Sequence, residues 1–195
     1  MKILNILLIL ISFIYKIKGE IDCVTHSNDP SCVNYEYPIF NIRVDINRLC
    51  SSMPYMPICS IQKSCKQVRS SNGTCDEFSI LGDSCTHDMP GMSGCNNFKK
   101  LCSKDSVIKQ CSRIQSIKNL PKTMDIFSSI KSICNDMAMD GCEKCTKLSP
   151  SCAVLPIYSS LCLQMEGMSQ CSNWTKMCSP SGNLLNLPIS SGICI

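Results

Sequence analysis

Histidine is scarce in this sequence: His26 and His87 are the only two in 195 residues. With the cysteines expected in disulfides, that scarcity suggests no Cys–His or Ser–His arrangement to activate a nucleophile, and no glycine loop of the phosphate-binding type occurs. We therefore expect no enzyme. Long apolar runs are also lacking. The longest, residues 3–15, falls short of the ~20 residues that span a bilayer as a helix. It follows Lys2 and leads through Lys16 and Lys18 to the small residue Gly19, so residues 1–19 read as a secretory signal peptide. The stretch 184–195 is apolar but too short and too interrupted by Ser and Gly to cross a membrane, and no span is expected in the mature chain. Strong charge of either sign is absent too. Three of the 19 basic residues lie in the leader while all 15 acidic residues follow it, which leaves a net charge of about +1 and no electrostatic footprint for nucleic acid or anionic lipid.

What is abundant is cysteine. All 18 lie beyond residue 19, behind the presumed leader. An even, dense set in that position indicates an oxidising compartment and a disulfide framework. Thiolate zinc sites would need several Cys-x2-Cys pairs, and Cys142 with Cys145 is the single instance. The sequons Asn72-Gly73-Thr74 and Asn173-Trp174-Thr175 are candidate glycosylation sites in the same compartment.

The cysteines come with methionines between them. Eight of the 11 methionines sit in four windows: Met53 and Met56 between Cys50 and Cys59, Met89 and Met92 between Cys85 and Cys95, Met137 and Met139 between Cys134 and Cys142, Met165 and Met168 between Cys162 and Cys171. The shared pattern is Cys-x2–3-Met-x1–2-Met-x2-Cys. It divides residues 20–195 into about four related units, near 32–65, 75–102, 111–145 and 152–178, each too small to bury a core alone and each expected to be stapled by about two disulfides. Four sets of four cysteines leave Cys23 and Cys194, which we expect to close the termini.

The fold expected is mainly α: a small disulfide-rich domain of short helices linked by Met-bearing loops. Cys95 and Cys102, like Cys171 and Cys178, are seven apart, a spacing that puts both on one face of a short helix. Residues 123–134 carry Met124, Phe127 and Ile130 at three-residue steps and read as an amphipathic helix capped by Thr123. Residues 35–46, rich in aromatic and β-branched side chains, read as a short strand.

Two readings of the methionines compete. A flexible thioether fills irregular gaps in a small core, which would make this a structural or adhesion-type repeat protein with packing methionines and no metal. Yet the windows are polar and Gly-rich, as in Thr86-His87-Asp88-Met89-Pro90-Gly91-Met92-Ser93-Gly94. Thioether sulfur is a soft ligand that selects Cu(I) and, unlike thiol, needs no deprotonation and is not consumed by disulfide formation. Two thioethers three residues apart would share one side of a helical turn, and His87, two residues before Met89, could add a third donor. The second window should then present Met89 and Met92 openly to solvent.

These Met-Pro-x-Met and Met-x2-Met pairs, framed by cysteines behind a signal peptide, resemble the cysteine-rich extracellular region that precedes the membrane domain in some Ctr-type copper transporters. The resemblance covers roughly residues 50–178. It implies a secreted, cell-surface or endosomal-lumen module that gathers Cu(I) through Met53, Met56, Met89, Met92, Met137, Met139, Met165 and Met168 with His87, and that delivers copper to a membrane copper transporter. The three membrane helices of that family, with their Met-x3-Met segment, have no counterpart here.

Overall fold

A computed structural model describes residues 21–68, 75–165, 167–179 and 193–194. The signal-peptide reading, the sequon at Asn72 and most of the apolar tail lie outside them. Within them the chain is helical and contains no strand. The α-helices are α1 (Ile39–Ser52), α2 (Pro57–Val68), α3 (Glu77–Asp83), α4 (Asn96–Leu101), α5 (Lys109–Ser112), α6 (Thr123–Asp136), α7 (Val154–Gln164) and α8 (Ser172–Met177). Among the described residues no helix is long and apolar enough to cross a membrane.

All 18 cysteines are oxidised, and every disulfide joins cysteines that are neighbours in sequence order. Cys23–Cys32 comes first. Then follow Cys50–Cys59, Cys65–Cys75, Cys85–Cys95 and Cys102–Cys111. The same order recurs as Cys134–Cys142, Cys145–Cys152, Cys162–Cys171 and Cys178–Cys194. Two expectations are thereby corrected. Cys23 and Cys194 do not close the termini, because each finds a partner close by in sequence. Nor is each unit held by two internal bridges: one disulfide closes each Met window, three more chain one unit to the next, and Cys23–Cys32 and Cys178–Cys194 tie the flanking segments to the first and last units. Sequence separations run from 7 to 16, so loop-closure entropy assigns each bridge roughly 2.5–3 kcal/mol.

The disulfide order exposes a duplication of halves. Helix α1 packs against α3, and the short turn Ser93–Cys95 after the second Met window packs back on α1. In the second half α6 packs against α7, and Ser169–Cys171 packs back on α6. At the first junction Gly94 is buried because a Cβ there would stand 2.7 Å from Leu49 Cγ and 2.8 Å from the Asp45 carbonyl oxygen. Asp45 itself is buried and accepts from Tyr37 Oη at 2.8 Å, with Asn97 Nδ2 at 3.3 Å. Burial and the neighbouring Asp45 carboxyl push the Tyr37 phenol well above its usual range. Phe98 beside it stacks on Phe78 with ring centroids 5.6 Å apart.

Helix α1 replaces the strand expected over residues 35–46. Phe40, Ile42, Val44 and Ile46 do alternate as a strand would, but no other strand exists among the described residues to satisfy its backbone, whereas a helix satisfies its own. Pro38 sets the entry with φ −59° and ψ 133°. Ile42, Asp45, Ile46 and Leu49 then face inward at helical spacing, and Phe40 is left 72% exposed. In α6 the buried stripe is Thr123, Ile126, Ile130 and Ile133, so Met124, expected on the apolar face, lies 49% exposed. Thr123 is the first residue of α6 and the Ncap position is Lys122. The cap comes from the other half: the Asp88 carboxylate accepts from Thr123 N at 2.9 Å and from Thr123 Oγ1 at 2.6 Å.

That contact belongs to a clamp by which α3 and the turn after it hold the connection between halves. Ser79 Oγ accepts from Gln115 N at 2.9 Å. The Asp83 carboxyl is bonded by the Ser116 side chain and the Ile117 backbone. Asp83 is buried, and burial pushes its pKa up to about 6, more than hydrogen bonding and His87 pull it down. A carboxyl whose folded pKa lies above its unfolded value of ~3.9 binds more protons in the fold. Its contribution to stability is therefore full below about pH 4 and is lost as the pH rises through 6. Urea unfolding should show Asp83→Asn matching wild type at pH 4 and exceeding it at pH 7 by on the order of 1–2 kcal/mol; equal stability at both pH values would remove the assignment.

Candidate functional site: four disulfide-bracketed methionine turns

Each Met window is a turn between two helical segments, closed at its base by its own disulfide. The first methionine always ends the preceding helix. Its N–H donates to a helix carbonyl: Met53 to Leu49 O at 2.9 Å, Met89 to Ser84 O at 2.9 Å, Met137 to Ile133 O at 2.9 Å, Met165 to Leu161 O at 3.2 Å. The second methionine always offers its carbonyl to the N–H of the closing cysteine, with Cys59, Cys95, Cys142 and Cys171 donating at 3.1, 3.0, 3.2 and 3.0 Å. Backbone angles agree at Met53 (−139°, 77°), Met89 (−130°, 63°) and Met165 (−135°, 79°), while Met137 (−147°, 137°) departs from them.

The departures have local causes. Window two has one more residue between Cys85 and Met89 than its siblings, and the helix absorbs it as a π-turn over Ser84–Asp88 whose end is capped by an i→i−5 bond from Met89 N. A single inserted residue is what a π-bulge accommodates. Window three has one residue fewer between its methionines, and Gly141 at φ 102° provides the left-handed step that rejoins Cys142. In window four a left-handed step falls between the two methionines, at Gly167 with φ 88°.

The methionine pairs accordingly sit on turns, not on a helical face. In windows one and two Met56 N and Met92 N donate to Met53 O and Met89 O, both at 3.3 Å, so each pair forms the first and fourth residues of a turn whose Cα atoms lie within about 7 Å. Exposure then separates the windows. Met56 is fully buried, and Met53, Met89 and Met92 are half-buried against the core. Met137 and Met165 are each 38% exposed, with Met139 and Met168 half-buried behind them. Met89 and Met92, expected to lie open to solvent, are half-buried against the core.

His87 is exposed on the π-turn but faces different company. It lines a cleft of about 210 Å3 with Asp83, Asp88, Lys118 and Lys122, in which neither Met89 nor Met92 takes part. Among the described residues no group of three or more His, Cys, Asp or Glu side chains is placed to hold a metal ion. With no free cysteine left, the thioethers are the soft donors that remain. Asn173 is half-buried in the short helix α8.

Sequence reasoning missed the joint between windows three and four. Gln170 Nε2 donates to Asp136 Oδ2 at 2.8 Å and lies 3.4 Å from Ser132 Oγ, and Gln164 Nε2 lies 3.5 Å from the Asp140 carbonyl oxygen. Glutamines beside methionines were the available signal, but their reach depends on α6 and α7 ending side by side. Tyr158, fully buried, secures the same junction by donating to Gln170 O at 2.6 Å.

No family model matches the chain, and no solved structure does. Protein P80 of Dictyostelium discoideum is 60% identical over 197 residues, a match that covers 100% of this chain and 37% of that protein. The chain thus spans little more than a third of the length of this relative.

Peroxide should read the exposure order directly, since accessible thioethers oxidise first. Limited oxidation followed by peptide mass mapping is expected to modify Met124, Met137 and Met165 well before Met56 and Met177, both fully buried; early sulfoxide at Met56 would contradict the placement of the first turn.

Proposed function

We propose that this chain is a non-catalytic Cu(I)-binding module of the extracellular face or endosomal lumen, related to the ectodomains of Ctr-type copper transporters, that captures copper through methionines and passes it to a membrane copper transporter. The observation that carries the reading is the repeated turn. Four times a disulfide closes a short loop that holds two thioethers at fixed positions on its backbone. A rigid turn lowers the ordering cost of binding, and sulfur donors without thiolate favour Cu(I) over harder ions. Nine disulfides suit an oxidising lumen or exterior, where thioethers remain the soft ligands to hand. His87 lines the cleft with Asp83 and Asp88, and the reading rests on the thioether sulfurs as donors, with His87 a further candidate.

The packing reading has its own support: Met56 is fully buried, and Met53, Met89, Met92, Met139 and Met168 are partly buried against the core.

Competition for Cu(I) against a chromophoric chelator tests the proposal. Wild-type protein should withdraw copper from the chelator, and a variant with Met53, Met56, Met89, Met92, Met137, Met139, Met165 and Met168 all changed to leucine should lose at least tenfold in affinity. Undiminished uptake by that variant would end the metal reading.

A further inference from the structure

We propose that turns three and four build one shared Cu(I) site from Met137, Met139, Met165 and Met168, and that the first half is its close-packed counterpart without a site of its own. This inference rests on the copper reading and adds where the ion sits and how many the chain takes.

Three observations lead there. Each of the four methionines lies within two residues of a group bonded across the junction: Asp136 precedes Met137, Asp140 follows Met139, Gln164 precedes Met165 and Gln170 follows Met168 by two. The two turns therefore lie side by side. Next, each turn alone offers one methionine that is 38% exposed, Met137 or Met165, with one half-buried partner; together they offer four soft donors. Finally, the two halves differ at one equivalent position, the residue before the last cysteine of the second turn. In the first half this is Gly94, which lets the turn close onto Leu49 and Asp45. In the second it is Gln170, whose side chain reaches across to Ser132 and Asp136.

Cu(I) titration against bicinchoninate, with Met137→Leu and Met165→Leu made singly and Met124→Leu, an exposed methionine outside the four turns, as control, distinguishes the possibilities. Leucine is close to methionine in volume, and Met137 and Met165 are partly exposed, so the fold should persist; circular dichroism and an unchanged absence of free thiols verify that. The shared site predicts one equivalent of copper for wild type, at least tenfold weaker binding in either single variant, and no change in the control. Ag(I), used as a diamagnetic probe, should shift the methyl resonances of all four second-half methionines together by the first equivalent. Two equivalents in wild type, with each single variant losing one and keeping the other, would overturn the shared site while leaving copper binding intact. Undiminished uptake in both single variants would place the site outside these two turns and overturn the inference as well. No uptake by wild type would overturn both this inference and the function on which it rests.

Discussion

A covalent bond between two cysteines about nine residues apart is the constraint on which the rest of this structure depends. Each of the four bridges Cys50–Cys59, Cys85–Cys95, Cys134–Cys142 and Cys162–Cys171 ties the last turn of one helix to the start of the next. Once that tie is made, the chain between has few conformations left, and the methionine that ends the helix takes nearly the same backbone angles in three of the four copies. The segments so formed are short; α4 and α8 have six residues each and would not hold as isolated helices. Local cross-links and packing against α1, α3, α6 and α7 hold them instead. The bridges also oxidise every thiol, which leaves thioethers as the soft donors in the molecule.

On that framework the two halves diverge. Both contain two Met turns and four bridges in the same order, and both fold the second turn back onto the first long helix. Gly94 removes a side chain at the junction so that backbone meets Leu49 directly, and the methionines of that half are drawn toward the core, Met56 completely. Gln170 fills the equivalent position with a hydrogen-bonded spacer, and Met137 and Met165 remain open. The two halves thus differ at this junction, with Met56 buried in one and Met137 and Met165 each 38% exposed in the other.

The helical class, the oxidised framework and the Met windows could be read from the sequence because they are local: they depend on spacing along the chain and on residue chemistry. Pairing could not, since spacing shows which cysteines recur but not which meet. Cys23 and Cys194 looked like leftovers of a count by fours, yet each has a neighbour within reach, Cys32 and Cys178. The strand expected over residues 35–46 failed for a related reason. The alternation of Phe40, Ile42, Val44 and Ile46 is real, but a strand needs a partner elsewhere in the chain, and periodicity carries no information about partners. His87 sits two residues from Met89 in sequence, but the π-turn between them directs it to the cleft with Asp83 and Asp88. The joint of Gln170 with Asp136 is tertiary altogether, joining residues 34 apart.

Copper K-edge X-ray absorption on protein loaded with one equivalent of Cu(I) tests the account most directly, because it reads the donor atoms themselves. Thioether capture predicts a first shell of sulfur alone, preserved in His87→Ala and lost when Met137 and Met165 are both replaced by leucine. A shell of nitrogen or oxygen donors, or a sulfur shell that survives the loss of both methionines, would contradict it.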